Sequence, residues 1–115
     1  MRPLTSIAML IGMLALPAAA HHGWSSYDAE KTVEVKAPLV EVRYGNPHAE
    51  VAIDHQGQRW QVVLAPVTRM TSRGLAEGTL VKGKTITIVG YPRVDGTREL
   101  RAERIVVDGK TIELR

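Results

Sequence analysis

Residues 33–44 read VEVKAPLVEVRY, and this stretch decides the fold. Apolar and charged residues alternate at its start and again after Leu39, the pattern of a half-buried β-strand. Pro38 interrupts the alternation, and because proline cannot donate to a strand ladder it is confined to an edge or a bulge. The pattern therefore predicts one long, bent first strand that follows an irregular arm over residues 21–31.

Alternation and turn residues predict the strands that follow. The predicted strands cover residues 49–54, 59–65, 84–91 and 99–107, with a short last strand at 111–114. Pro47 lies in the turn GNPH at residues 45–48, and Gly57 in the hairpin turn HQGQ at 55–58. The Asp-Gly pairs at 95–96 and 108–109 are strong turn signals.

One segment between the third and fourth strands has no alternation. It reads PVTRMTSRGL over residues 66–75. Pro66 suits the first turn of a helix and Gly74 suits its end. This predicts a short helix over residues 67–73, in which Met70 fills the core rather than binding a metal.

Three strands, one short helix and two or three further strands are the element order of the oligonucleotide/oligosaccharide-binding fold, the OB-fold. We therefore predict an all-β domain over residues 32–115. It would be an OB-fold-like Greek-key β-barrel of five to six strands, with its helix between strands 3 and 4. A small β-sandwich is the alternative, and the long bent strand and the single helix favour the barrel.

The first twenty residues predict an export signal. A positively charged start precedes the apolar run IAMLIGMLAL at 7–16, and Ala18 and Ala20 are the small residues before the cut. The apolar run is shorter than the ~20 residues that a membrane-spanning helix needs. We expect cleavage after Ala20, in preference to Ala19, and a periplasmic mature protein with no membrane insertion.

Charge and composition narrow the classes of function. The formal charge is only +3, the signs alternate along the chain, and no basic stripe carries interleaved aromatic residues. Nucleic-acid binding is therefore not expected. The chain has no cysteine, so it has neither a thiolate ligand nor a cysteine nucleophile. Ser25 and Ser26 lie in the arm without an evident base, so we predict neither enzymatic activity nor an organic cofactor.

Two histidines directly follow the predicted cut. Cleavage after Ala20 leaves His21 with a free α-amine, whose ordinary pKa of about 8 lets a metal displace the proton at neutral pH. The amine and Nδ1 of His21 can chelate one ion, and His22 or a distant imidazole can complete the site. Cleavage after Ala19 puts His22 third, a position that also suits Cu(II). Nitrogen ligands suit Cu(II), and imidazole also suits Zn(II) and Ni(II). The alternative is a solvated arm whose histidines bind nothing.

His48 is the candidate for a further metal ligand. It lies just past the turn between the first two strands, in a loop that borders the binding surface of OB-folds. Alternatively, it only bonds the turn backbone. The residues thus predict a periplasmic metal-binding carrier, buffer or accessory protein, with copper favoured over zinc or nickel.

A metal-free interaction module is the second hypothesis. Arg43, Arg93 and Arg98 flank the two loops that would border the binding surface. Guanidinium groups match carboxylates and phosphates, so these arginines can receive an anionic ligand or a segment of a periplasmic or membrane-complex protein partner. The alternative is that they are solvated surface residues.

Three stretches carry a resemblance to a known family: HHGWSSYD at residues 21–28, VEVRYGNPH at 40–48 and LRAER at 100–104. They resemble a family of small exported bacterial proteins, DUF6152, whose function is unknown. The resemblance covers essentially the whole mature chain. It implies a periplasmic location and an OB-like barrel, and it implies no established activity.

Overall fold

A computed structural model describes residues 23–115, which form mostly β-structure with one short α-helix. The strands are β1 Val33–Pro38, β2 Glu41–Arg43, β3 Glu50–His55, β4 Gln58–Val63, β5 Thr85–Pro92, β6 Glu99–Val107 and β7 Lys110–Glu113. The helix α1 spans Val67–Ser72, and a single 3-10 turn spans Trp24–Ser26. The predicted β-rich class is confirmed, while the predicted signal over residues 1–20 lies outside the described residues.

The seven strands form one sheet in the order β1-β5-β6-β4-β3-β2, with β7 paired to β6. All pairs are antiparallel except β4 with β6, which is parallel. Within residues 23–115 the strand ladders form an open path, so the sheet is not closed into the predicted barrel. The path begins at β1 and ends at β2.

The predicted long first strand is two strands, because the chain changes partner in the middle. β1 ends at Pro38, which has no N–H to donate. The Leu39 amide still donates to the Lys84 carbonyl oxygen, next to β5, at 2.8 Å. The Val40 amide donates instead to Ala52 on β3, also at 2.8 Å. β1 therefore pairs at one end of the strand path and β2 at the other.

The predicted turns and helix lie where the sequence indicated. Gln56 and Gly57 have φ of 52° and 74°, as a two-residue hairpin turn between β3 and β4 requires. α1 follows Pro66, and Gly74 comes two residues after its end with φ of 98°. Met70 on α1 is 0% exposed, so its predicted packing role is confirmed.

The core fills with the inward side chains of the strands, the helix and the loops. One cluster gathers buried apolar residues from α1 and from every strand except β2, and Trp60 packs against it while only partly buried. On β5 the strict alternation places Ile86 and Ile88 inward. Ile88 is 0% exposed, whereas Thr85 on the same strand is exposed.

We expect Ile88→Ala to lower the free energy of unfolding by roughly 2–5 kcal/mol, because it removes buried methylene groups and leaves a cavity. Urea denaturation of both proteins measures the difference. The matched control is Thr85→Ala on the exposed face of the same strand, which should change stability by less than about 0.5 kcal/mol. Equal costs for the two variants would contradict the assigned faces of β5.

Candidate functional site

The described end of the N-terminal arm docks onto the end of β5 and the loop that follows. The Asp28 amide donates to the Pro92 carbonyl oxygen at 2.8 Å, and the Val94 amide donates to the Ser26 oxygen at 3.0 Å. Between these bonds Tyr27 forms an isolated antiparallel bridge. Residues 26–28 thus extend the edge of the sheet at this point.

Tyr27 anchors the arm from within. Its side chain is 4% exposed, and its hydroxyl donates to Glu99 Oε2 at 2.6 Å. Arg93 Nη1 lies 3.2 Å from the same Glu99 oxygen, and the Arg93 guanidinium lies 5.8 Å from the Tyr27 ring centroid. Burial raises the pKa of Tyr27, and the hydrogen bond to Glu99 raises it further. The phenol therefore stays protonated and remains a donor.

Trp24 fixes the arm three residues earlier. Two guanidinium carbons lie over its ring, that of Arg101 at 4.7 Å and that of Arg115 at 4.4 Å from the centroid. The Tyr91 ring meets it edge-on at 6.1 Å. Such contacts are favourable because the face of an aromatic ring attracts cations. Trp24 and Tyr27 thus pack the arm onto the domain.

A row of directly paired residues crosses the sheet from Arg101, which contacts Trp24, to Glu50 on β3 and Arg43 on β2. Arg101 pairs with Val63, Val63 pairs with Glu50, and Glu50 pairs with Arg43. Side chains of directly paired residues share a face of the sheet. Two strand spacings of about 4.8 Å separate the backbone of Arg101 from that of Glu50. The Arg101 backbone, whose side chain contacts Trp24, is therefore about 10 Å from that of Glu50 across the sheet.

His48 lies in the loop between β2 and β3, as predicted. Its side chain is 13% exposed, and its Nδ1 lies 3.5 Å from Glu50 Oε1. Arg43 spans the base of this loop: it donates to the main-chain oxygen of Asn46 at 3.1 Å and to that of His48 at 3.4 Å. Arg43 also pairs with Glu50 at 3.4 Å. The loop that carries His48 is thus braced from β2.

The predicted anion-binding arginines have different surroundings. Arg93 pairs with Glu99 and, at 3.3 Å, with Asp95, so nearby carboxylates balance its charge. Arg98 is exposed in the loop between β5 and β6. Arg43 braces the other loop. The structure therefore places the three residues at two separate loops; Arg43 and Arg98 are exposed, whereas Arg93 is partly buried.

An open cleft of about 710 Å³ adjoins Glu50. Its lining includes the outward residues of β2, β3 and β4 and part of the loop before β5, among them Glu41, Arg43, Ala52, Gln61 and Lys82. Both negatively and positively charged side chains line it, so this surface can receive a ligand with hydrogen-bonding groups.

The remaining predicted ligands, His21 and His22, lie outside the described residues. Within residues 23–115 there is no group of three or more His, Asp or Glu side chains that could hold a metal ion. The described residues bring only His48 and Glu50 together.

Sequence reasoning missed Glu50, Glu99 and Arg101. Glu50 had a signal, because it lies two residues after His48 at the start of a strand, and alternate strand residues share a face. No signal in the sequence indicated Glu99 or Arg101. Their roles arise from contacts with the arm, which is distant in sequence.

The chain belongs to the family of unknown function DUF6152, whose profile matches residues 9–101. This confirms the resemblance noted in the sequence. No curated protein matches the chain. In the part of the chain that the structure describes, no helix is long and apolar enough to cross a membrane.

We expect Tyr27→Phe to cost about 1–3 kcal/mol, because it removes the phenol hydroxyl that donates to the part-buried Glu99 carboxylate at 2.6 Å. The cost should also depend on pH. Since the fold raises the pKa of Tyr27, the wild-type contribution is complete below the ordinary tyrosine pKa of about 10 and is lost as the pH rises through the folded value.

Urea denaturation at pH 8 and at pH 10.5 tests this. Wild-type protein should lose more stability between the two conditions than Tyr27→Phe does. Tyr91→Phe, which removes a hydroxyl elsewhere beside the arm, is the control and should keep the wild-type pH dependence. Identical slopes for wild type and Tyr27→Phe would refute the role of the phenol proton.

Proposed function

We propose that the protein is exported to the periplasm, loses residues 1–20, and binds a metal ion as a carrier, buffer or accessory protein. Copper is the favoured cargo. The observation that carries this proposal is the anchoring of Trp24, two residues after His22, in the row of the sheet that leads to Glu50 and His48.

Chain length supports contact between the arm and His48. An extended residue spans at most about 3.3–3.6 Å, so two residues before Trp24 cover about 7 Å and three cover about 10 Å. That reach matches the two strand spacings, about 10 Å, between Arg101 and Glu50. We therefore propose that the imidazoles of His21 and His22 lie near His48, with Trp24 as the nearest anchored residue of the arm.

The surroundings of His48 suit a metal ligand. A metal-bound histidine commonly donates its second ring N–H to a carboxylate, which fixes the tautomer and the ring orientation. Glu50 Oε1 lies 3.5 Å from His48 Nδ1, and Arg43 pairs with Glu50 in turn, so a carboxylate is in place to orient the imidazole. Together with the α-amine and the arm imidazoles this makes a nitrogen-rich donor set. Such a set suits Cu(II), and also Zn(II) or Ni(II).

We further propose an OB-like architecture. Its support is the strand path: β1 and β2 stand at its two ends and are separated by only two residues of the chain. Counted as one bent strand, they give a five-stranded cycle with α1 between the third and fourth strands, and β7 is an addition. In such folds the loops after the first and fourth strands border the ligand surface. Here those loops carry His48 and the docking point of the arm.

Processing is tested first, because the metal site needs the free amine. We expect the intact mass of protein isolated after export to match a chain that begins at His21. A chain beginning at Ala20 would keep a copper-binding terminus, with His22 as its third residue. A mass that retains residues 1–20 would remove the α-amine from the ligand set.

Metal binding is tested with mature protein that has its native N-terminus. At a free Cu(II) concentration of ~1,000 times the dissociation constant, binding to the folded state alone adds about 4 kcal/mol. Each kcal/mol raises the Tm of a domain of this size by roughly 4–8 °C. We expect His48→Ala to abolish this rise and leave weak binding by the arm, and Glu50→Gln to lower affinity about 10–100-fold.

His55→Ala is the matched control. His55 lies at the β3–β4 hairpin, edge-on to Trp60 at 6.0 Å, and should not affect binding. An extra residue before His21 should weaken binding, because it moves the amine out of the chelate. Wild-type affinity in the His48 variant and in the extended protein together would eliminate the proposed site.

A metal-free module for an anionic ligand or a protein partner is the alternative proposal. The exposed Arg98 and the cleft beside Glu50 favour it. If the mature protein binds no metal in the titration, this alternative replaces the first, and Arg98→Gln is then the variant to test against a candidate partner.

A further inference from the structure

A separate cleft of about 420 Å³ runs along α1 and is lined by Pro66, Thr68, Arg69, Ser72 and Arg73. Its volume lies within the range of small-molecule sites, about 300–1,000 Å³. Arg69 and Arg73 are four residues apart, as are Thr68 and Ser72, so each pair is adjacent on the helix surface. Two guanidinium groups and two hydroxyl groups thus line the same cleft.

The two arginines are held in place without being neutralised by an acidic side chain. Arg69 Nη1 donates to the main-chain oxygen of Leu114 at 3.1 Å. Arg73 donates to the main-chain oxygens of Glu113 at 3.0 Å and Arg115 at 3.4 Å. Each guanidinium has five N–H donors, so both keep donors for a ligand.

Arg69 and Arg73 differ in this respect from the arginines that pair with carboxylates. Within residues 23–115, no Asp or Glu side chain forms an ion pair with Arg69 or Arg73. Carboxylates do pair with Arg43, Arg59, Arg93, Arg104 and Arg115. The cleft along α1 therefore combines fixed guanidinium groups with positive charge that no acidic side chain balances.

A third cation strengthens the positive field. Lys110 Nζ donates to the main-chain oxygen of Gly74 at 3.2 Å, just past the end of α1. Arg69 is also close enough to Arg101 to contribute to the lowered pKa of Arg101, of which burial is the larger cause. An anion that enters this cleft meets several positive charges.

We propose that the cleft along α1 binds a phosphate group, either as inorganic phosphate or as a phosphate monoester. The guanidinium forks of Arg69 and Arg73 match the oxygens of a phosphate, and two positive charges match its dianion. Thr68 is exposed beside them and supplies a hydroxyl group. Ser72 Oγ donates to the Arg69 carbonyl oxygen at 2.9 Å and supports the helix backbone under the arginine. This site is independent of the proposed metal site.

Isothermal titration calorimetry of the metal-free mature protein tests the proposal with three probes: inorganic phosphate, glycerol 3-phosphate and acetate. We expect at least one phosphate probe to bind at least tenfold more tightly than acetate, with affinity that falls as salt rises. Tighter binding of inorganic phosphate identifies the free ion as the ligand, whereas tighter binding of glycerol 3-phosphate identifies a monoester.

Arg73→Gln should weaken phosphate binding at least tenfold, and Arg73→Lys should give an intermediate loss, because it keeps the charge without the fork. Thr68→Asp puts a negative charge on the exposed side of the cleft and should abolish binding. The Thr68→Asp variant tests the proposal if Arg73→Gln does not fold. Arg59→Gln, which removes an arginine paired with Asp54 at 2.7 Å, is the control and should bind like wild type. No binding of either phosphate probe, or wild-type affinity in Thr68→Asp, would overturn the proposal.

Discussion

The change of hydrogen-bonding partner at Leu39 and Val40 is the constraint on which the arrangement of the sheet depends. Within two residues the chain leaves the β5 side and joins β3. Pro38 fits next to this change, since its missing N–H removes no bond to β5: the Leu39 amide after it still donates to the Lys84 carbonyl oxygen. Leu39 is 2% exposed and lies in the core, so the crossing point is itself packed. The pairing of β4 with β6 places the loop with His48 and the strands that hold the arm in one continuous sheet.

A second constraint lies where the arm docks. The pairing of β5 with β6 shifts register between Val89 and Gly90. A Cβ atom at Gly90 would stand 3.0 Å from the Arg101 carbonyl carbon and 3.1 Å from the Ala102 Cα, so only glycine fits this approach. A bulge bends a strand and increases its twist. Here it lies beside Arg101, the residue against which Trp24 packs.

Local patterns predicted local structure well. The strand Glu99–Val107 matches the predicted bounds, and α1 ends one residue before the predicted limit. The division of residues 33–44 could not be predicted, because it depends on which distant strands offer partners to each half. The same reason explains why the position of His48 could be predicted and the role of Arg101 could not. A turn motif placed His48 in its loop, whereas the contact of Arg101 with Trp24 depends on the tertiary position of the arm.

The anchoring of the arm bears directly on how a metal site at its tip would work. A free arm would lose conformational freedom on binding, and that cost would subtract from affinity. Here Trp24 and Tyr27 are already held by their contacts with Arg101 and Glu99, so binding would not have to order them. A site shared between these residues and His48 would also exist only in the folded protein. Metal binding and folding would then stabilise each other. The buried Tyr27–Glu99 hydrogen bond, although remote from the proposed ligands, would contribute to affinity by holding the arm in place.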